Sequence, residues 1–491
     1  MIKKHIELIE MNQKSNREKN PNVVFIFADD LGYGDLSCYG ATKIQTPHID
    51  KIAEEGVSFT DAHSSSAVCT PSRYSVITGR YCWRTWLKKW VIFGHGLPLI
   101  EKDRKTIGDL FQENGYKTAA IGKWHLGLGW NFKEGFEKKK TQNHYDAVNY
   151  TKNLTHCPND LGFDYFFGIA GSLDMYPYCF FENDHVYGDP PTKLKDTLYQ
   201  QQRKGYQANN WKDEQVDITF TEKALQFIDK CHEEDPDKPF FLYLPTSSPH
   251  RPCDIQPEFV KGESEAGDRG DMVILFDWIV GQVEQKLQDL NLTDNTIFII
   301  SSDNGARLTC YNGKDYGHKS CGDLRGQKAD IWEGGHREPF IVRWPGVIET
   351  NTECHTPICL VDLFATFAEL FESGLEDNFA EDSFSFLRCL TENKHEMQTR
   401  PHLVHHSGQG MFSIRKNGWK MIKGLGSGGF THWGLKDTVE YILDLFPKGQ
   451  LYNLNNDLQE KDNLWRSERQ KIKELSNLLE KIMNTPSSSK I

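Results

Sequence analysis

The stretch NVVFIFADD, Asn22–Asp30, runs through six consecutive apolar residues and stops on two carboxylates. Unbroken rather than alternating apolar character describes a strand covered on both faces, the habit of parallel sheets. Outward from this strand one order of elements recurs. TPHIDKIAEEGVSFTDAHS reads as a helix with Pro47 in its first turn and Gly56 at its stop. DRKTIGDLFQENGYKTAAIGKWHLG then gives helix, glycine stop and strand. TEKALQFIDKCHEEDPDKPFFLYLPTSSPH and DMVILFDWIVGQVEQKLQDLNLTDNTIFIISSDNG repeat that order. Helices alternating with apolar strands predict an α/β fold with a large doubly wound, mostly parallel sheet.

Composition shifts after about residue 385. HLVHHSGQGMFSIRKNGWKMIKG reads as short antiparallel strands, YILDLFPKGQLYNLNNDLQEKDNL as a strand and turn, and SERQKIKELSNLLEKIMN as a closing amphipathic helix. The expected organisation is a polar arm over 1–20, a large α/β domain over 21–385 and a smaller α+β domain with an antiparallel sheet over 386–491. The glycine-rich GLGSGG at 424–429 lacks the Lys-Ser/Thr of a phosphate loop and reads as a plain loop.

The 491 residues exceed what one small core organises, and 38% hydrophobic with 12% aromatic residues is the composition of a globular enzyme, not of a disordered chain. A net charge of −12 argues against nucleic acid and anionic membrane as partners. It leaves room for an anionic substrate, because a local cluster of cations can reverse the field inside one cleft. No segment reaches membrane-spanning length, and the N-terminal twenty residues lack a signal-peptide core. The sequence as written is therefore expected to be soluble and intracellular, or periplasmic or secreted if a leader has been removed. Twelve cysteines form no C-x-x-C pair. Cys310 with Cys321, and Cys354 with Cys359, read as bridges in an oxidising compartment and as thiols otherwise, the second being favoured without a signal peptide. Sequons at Asn149, Asn153 and Asn291 matter only for a secreted eukaryotic protein.

Two apolar strands end in hard oxygen ligands, Asp29-Asp30 and Asp303-Asn304. Ligands of open α/β sheets lie beyond the carboxyl ends of strands, where three carboxylates and an amide would repel one another unless a cation held them. An all-oxygen set favours calcium or magnesium over zinc. In VCTPSRYSVITGR, Cys69 opens a helix with Pro71 in its first turn and Arg73 four residues on. The helix terminus and the guanidinium together favour negative charge beside residue 69. Lys123 and His125 of GKWHLG lie two apart and share a side if the segment is extended. His250 follows a third apolar strand, and Lys328 stands in LRGQKADIWEGGHREP. Singly, each also reads as a surface lysine or a satisfied loop histidine.

CTPSRYSVITGR resembles the type I sulfatase motif C-x-P-S-R-x-x-x-x-T-G-R at every defined position. The resemblance to that formylglycine-dependent, arylsulfatase A-like family, within the alkaline phosphatase superfamily, extends through FIFADDLGYGD, GYKTAAIGKWHLG, SPHRP, SSDNGA, EGGHREPFIVRWPG and QLYNLNNDLQEKDNL. It implies a sulfuric ester hydrolase in which a maturation enzyme, formylglycine-generating or anaerobic, oxidises Cys69 to Cα-formylglycine. It implies one calcium ion held by Asp29, Asp30, Asp303 and Asn304 and touching residue 69. Arg73, Lys123, His125, His250 and Lys328 would surround the aldehyde hydrate and the sulfate, with His250 and Lys328 serving the leaving alcohol and His125 acting as the base. One hydroxyl of a hydrated aldehyde attacks sulfur and the other expels sulfate, an exit that a serine ester lacks.

GIAGSLDMYPYCFFENDHVYG and YGHKSCGDLRGQK resemble segments of bacterial carbohydrate sulfatases, which implies a sulfated galactose or N-acetylgalactosamine glycan, with aryl sulfates also turned over. Asp174 and His318 are candidates for reading sugar hydroxyls, with an ordinary loop role equally open. WRTWLKKW, Trp83–Trp90, combines indoles with cations and would line a polyanion's path or bury a helix face. Two other readings stand beside the sulfatase: a phosphodiester or phosphonate hydrolase of the same superfamily, and a non-catalytic sulfoglycan-binding protein in which Cys69 stays a thiol.

Overall fold

The computed structural model describes residues 20–196, 198–199, 201–308, 316–375, 379–392, 397–431 and 448–491. The expected polar arm, apart from its last residue, and Cys310 lie outside the described residues. So does much of the YILDLFPKG segment.

The chain-order strands of the main sheet begin with β1 (Asn22–Ala28), β2 (Val57–His63), β3 (Lys117–Lys123), β4 (Tyr165–Ile169), β5 (Phe181–Glu182) and β6 (His185–Val186). A two-stranded ribbon, β7 (Lys193–Leu194) and β8 (Tyr206–Gln207), precedes β9 (Phe240–Pro245), β10 (Thr296–Ser302), β11 (Arg337–Arg343), β12 (Thr352–Cys354) and β13 (Ile358–Cys359). The order across the sheet is β12-β2-β11-β10-β1-β9-β3-β4-β5-β6, with β13 also on β2. The centre, β10-β1-β9-β3-β4, is parallel. β11 runs antiparallel to both β10 and β2. The expected doubly wound, mostly parallel sheet is present. The segment after Gly56, read only as the tail of a helix, is the full strand β2.

The apolar run of β1 explains itself in the packing. Val23, Phe25 and Phe27 enter one core, with Tyr74 and Ile77 of α2 (Cys69–Thr78), Leu110 and Phe111 of Ile107–Glu113, and Phe364 and Phe367 of Leu363–Leu370. Val24, Ile26 and Ala28 enter the other. There they meet Ile49 and Ile52 of α1 (Pro47–Glu54), Phe220 and Ile228 of Val216–Glu234, and Phe276 and Val280 of Gly267–Asp289. A central strand buried on both faces has no use for alternation.

Beyond Leu387–Thr391, whose Cys389 and Leu390 still belong to the first core, comes a four-stranded antiparallel sheet. It comprises β14 (Leu403–His406), β15 (Phe412–Lys416), β16 (Trp419–Ile422) and β17 (Gln450–Asn453). The helix Arg469–Asn484 covers it through Leu475, Leu479 and Ile482. This small sheet docks on β2 and β11 through buried ion pairs. Arg415 grips Asp61 at 2.6 Å through both terminal nitrogens, and Lys420 lies 2.9 Å from both Glu333 and Glu460. His63 and His336 face each other at 3.0 Å within that network.

The eleven described cysteines are all thiols. Cys354 faces Cys389 rather than Cys359. Among the described residues no helix is long and apolar enough to cross a membrane.

Candidate active site

Four parallel strands deliver their carboxyl ends to one place. Asp29 and Asp30 follow β1, Asp303 and Asn304 follow β10, the 246–250 turn follows β9, and Lys123 ends β3. Backbone bonds lace these ends together: Asp29 N–H donates to Ser248 O at 3.0 Å, and Asp303 N–H to Ala28 O at 3.2 Å. Asp30 N–H donates to the Asp303 carboxylate at 3.1 Å. Asp30 sits in the left-handed region at φ 67, a conformation that costs an ordinary residue free energy. Arg269 holds that turn by donating to Asp30 O at 2.7 Å while pairing with Asp35. His250 is placed at one remove: Asp217 accepts the Ser247 and Ser248 N–H groups at 2.8 Å each, fixing the turn from below.

Cys69 is the first residue of α2, and 2% of it is exposed. Lys328 Nζ stands 3.3 Å from its sulfur and 2.5 Å from Asp30. Burial, only partly opposed by Lys123 and Lys328, pushes the thiol up, so the encoded cysteine is not a thiolate nucleophile at neutral pH. Burial also works against the Lys328 charge, but Asp30, Cys69 and Asp29 outweigh it and hold the ammonium above its usual value.

Arg73, expected around the aldehyde hydrate and the sulfate, is held by carboxylates. It is fully buried beneath the cleft, with Nε 2.9 Å and Nη2 2.8 Å from Asp303 and Nη1 donating to Lys123 O at 3.0 Å. Its guanidinium pairs with the carboxylates and does not line the cleft. Lys123 does likewise, pairing with Asp29 at 2.5 Å. His125 does not share an extended segment with Lys123. Its φ is +58, and the chain turns away from β3 at that point. His125 nevertheless reaches the cleft, anchored by Thr70 Oγ1 donating to His125 O at 3.0 Å.

The cleft above Cys69 has a volume of about 650 Å³, and Cys69, His125, His250 and Lys328 line its depth. His125 Nε2 lies 2.7 Å from Ile92 O, which makes it the protonated nitrogen and leaves Nδ1 buried without a protein partner. His250 Nδ1 is 2.6 Å from Arg251 O, and its Nε2 is 3.7 Å from Asp30. Burial, then neighbouring cations, keeps both rings well below the usual histidine range: Lys123 and Arg73 beside His125, Lys328 and Lys123 beside His250.

The residues at the strand ends fit a hard cation. Asp29 Oδ1, Asp30 Oδ2 and Asn304 Oδ1 are buried oxygens with no hydrogen-bond partner. One ligand atom from each of Asp29, Asp30, Cys69 and His250 falls within 4.8 Å of the others. Burial, with Asp303 and Asp30 adding to it against Lys123 and Arg73, pushes Asp29 up to about 7, the strain that a bound cation relieves.

Asp174 lines the outer cleft, its Oδ2 held by Arg203 and Arg251 at 2.8 Å and its Oδ1 buried without a partner. His318 does not join it. Its Nε2 is 2.9 Å from Asp35, and it lines a separate cleft with Tyr33 and Lys319. Arg203, Arg307 and Phe430 also line the outer cleft and escaped the sequence reading, because no pattern connects them to Cys69.

The fold and cleft define an α/β enzyme working at the carboxyl end of its sheet. The sulfatase family profile matches residues 21–373. The chain is 35% identical to the N-acetylgalactosamine-6-O-sulfatase of Bacteroides thetaiotaomicron, over 96% of this chain and 95% of that one. It is 30% identical to human steryl-sulfatase, over 82% and 75% respectively. A solved structure from work on glycosaminoglycan metabolism by Bacteroides thetaiotaomicron matches at 33% identity with a TM-score of 0.80, covering 95% of this chain and 100% of that one. The chain belongs to the sulfatase family, and it is a sulfuric ester hydrolase. Formylglycine and a metal ion are general to that family, and the buried oxygen cluster of this chain is a group able to hold the metal.

Proposed function

We propose that this enzyme removes sulfate from a galactose- or N-acetylgalactosamine-type glycan, and that a maturation enzyme converts its Cys69 to the formylglycine that attacks sulfur. The observation that carries the reading is the floor of the cleft, where Lys328 lies 3.3 Å from Cys69 and the unpartnered oxygens of Asp29, Asp30 and Asn304 lie buried beneath. The sugar rests on the relative named for N-acetylgalactosamine-6-O-sulfate.

Formylglycine, once hydrated, supplies one hydroxyl to attack sulfur and a second whose deprotonation releases sulfate. Calcium held by Asp29, Asp30, Asp303 and Asn304 would lower the pKa of the attacking hydroxyl and offset charge on the sulfuryl oxygens. The remaining work falls to side chains. Arg73 and Lys123 neutralise Asp303 and Asp29 from below and so position the oxygen ligands. Lys328, whose ammonium lies beside Cys69 in the cleft, holds a sulfate oxygen. His125, neutral with its free lone pair at Nδ1, takes the proton of the second hydroxyl. His250 presents Nε2. Burial and then the neighbouring cations lower the pKa of this ring, and a bound sulfate would offset the second of these, favouring the imidazolium whose Nε2 proton goes to the leaving alcohol. Asp174 Oδ1 is the acceptor for a sugar hydroxyl.

Mass analysis of the Cys69 peptide, from protein made alongside a maturation enzyme, tests the nucleophile. Turnover of 6-O-sulfated N-acetylgalactosamine against matched phosphate mono- and diesters tests the chemistry. A formylglycine mass with sulfate preferred is expected; an unmodified cysteine, or a phosphodiester preferred by orders of magnitude, would overturn the reading.

A further inference from the structure

The cleft above Cys69 does not end at its own rim. A second cleft of about 650 Å³ lies beside it, bounded by Arg80, Trp83, Phe412, Met483 and Pro486, and Lys88 and Lys89 line both. A single cleft of that volume already accommodates a small-molecule ligand. Two in series exceed what one sulfated sugar requires.

The charges at the junction differ from those around it. In the second cleft Arg84 is committed to Asp382 through two contacts of 2.8 Å, and Arg80 to Glu101 at 3.2 Å and Glu381 at 3.5 Å. In the first, Arg203 and Arg251 grip Asp174. Lys88 and Lys89 are exposed, and among the described residues neither pairs with a carboxylate. Lys88 Nζ donates to Trp83 O at 2.5 Å. Two uncompensated ammonium groups thus bridge the clefts in a chain of net charge −12. Trp86 and Trp90 flank them, half-buried, and Trp90 packs against Phe430 at 5.7 Å. Half-buried indoles next to ammonium groups that no carboxylate offsets suit a ligand that alternates apolar sugar faces with anionic groups.

We infer that Lys88 and Lys89 form a subsite for an anionic group, carboxylate or sulfate, on a neighbouring sugar of an extended polyanionic glycan, whose chain continues into the second cleft. This rests on the reading that sulfate is cleaved over Cys69. The preferred substrate is then an oligosaccharide rather than a free sulfated monosaccharide.

The test compares the unsubstituted holoenzyme with K88A/K89A on three probes. These are 6-O-sulfated N-acetylgalactosamine, a hexasaccharide alternating that sugar with uronic acid, and the same hexasaccharide with its carboxyls reduced to alcohols. The unsubstituted enzyme should prefer the hexasaccharide by tenfold or more in kcat/KM, and the preference should shrink with added salt. The double variant should lose most of that preference through KM. Loss of the preference on carboxyl reduction assigns the group to a uronate, and its retention assigns it to a neighbouring sulfate. An equal chain preference in both enzymes, or none in either, would overturn the subsite while leaving the sulfatase reading intact. No turnover of any sulfate ester, 4-nitrophenyl sulfate included, would overturn both.

Discussion

Acidification should destabilise this protein, and His406 allows one part of that loss to be worked out. The ring ends β14, is 1% exposed, and has Nδ1 3.2 Å from Ser407 O and Nε2 buried without a partner. Burial, slightly relieved by Ser407 O, lowers it from 6.5 to about 4. The folded pKa lies below the unfolded one, so the unfolded chain takes up the proton first, and stability falls as pH drops from about 6.5 through about 4. Between pH 7 and pH 4.5 the linkage amounts to roughly 2.5 kcal/mol. The measurement is urea unfolding followed by tryptophan fluorescence, at both pH values, for the unsubstituted protein and H406N. The asparagine retains a donor for Ser407 O and cannot titrate. Other histidines titrate equally in both proteins and cancel in the difference. The unsubstituted protein should lose about 2.5 kcal/mol more than H406N. An identical loss, within about 0.5 kcal/mol, would refute the claim that this ring is buried neutral.

The remaining expectations concern the site and its supports. C69A should lose at least a thousandfold in sulfate-ester turnover with an unchanged circular dichroism spectrum; near-normal turnover would remove Cys69 from the chemistry. Chelation should lower both activity and melting temperature, with calcium restoring them, whereas D303A should show neither the loss nor the rescue. D217A frees the two N–H groups that hold the His250 turn and should cost about a hundredfold in kcat, with D217N losing less. Gly122 lies at φ +135, where an added Cβ would fall 1.9 Å from Pro245 O, so G122A should destabilise by about 2 kcal/mol or more in urea unfolding.

What the sequence disclosed follows from what burial writes into it. β1, β9 and β10 were legible because strands covered on both faces need unbroken apolar runs, and the polar residues that end them fall on the ligand side of a parallel sheet. The antiparallel insertion of β11 between β10 and β2 was not, since strand direction leaves no trace in hydrophobic pattern. The αL turn at His125 was equally silent, because nothing in GKWHLG distinguishes it from an extended end. For Arg73, helical spacing gives a face shared with Cys69, and only the position of Asp303 decides where the guanidinium goes. His318 looked available until Asp35, nearly three hundred residues away in the chain, claimed it. The Asp61–His63–Glu333–His336–Arg415–Lys420 network draws on four separate stretches, each unremarkable alone.

The small sheet is tied directly to the loop that carries residue 69. Ala67 N–H donates to His406 O, Ala329 N–H to Ala67 O, and Gly408 N–H to Ala329 O, so β14 and the Lys328 loop close over the start of α2. This closure sets a clock. On the proposed reading, a maturation enzyme would have to reach the Cys69 sulfur, 2% exposed in the folded chain, before residues 403–408 dock, and those residues leave the ribosome long after Cys69 does. At translation rates of about 5–20 residues per second the interval is roughly 20–70 s. Under the proposed maturation the C-terminal strands would therefore act as a deadline: a chain that folded before residue 69 was altered would keep its buried thiol.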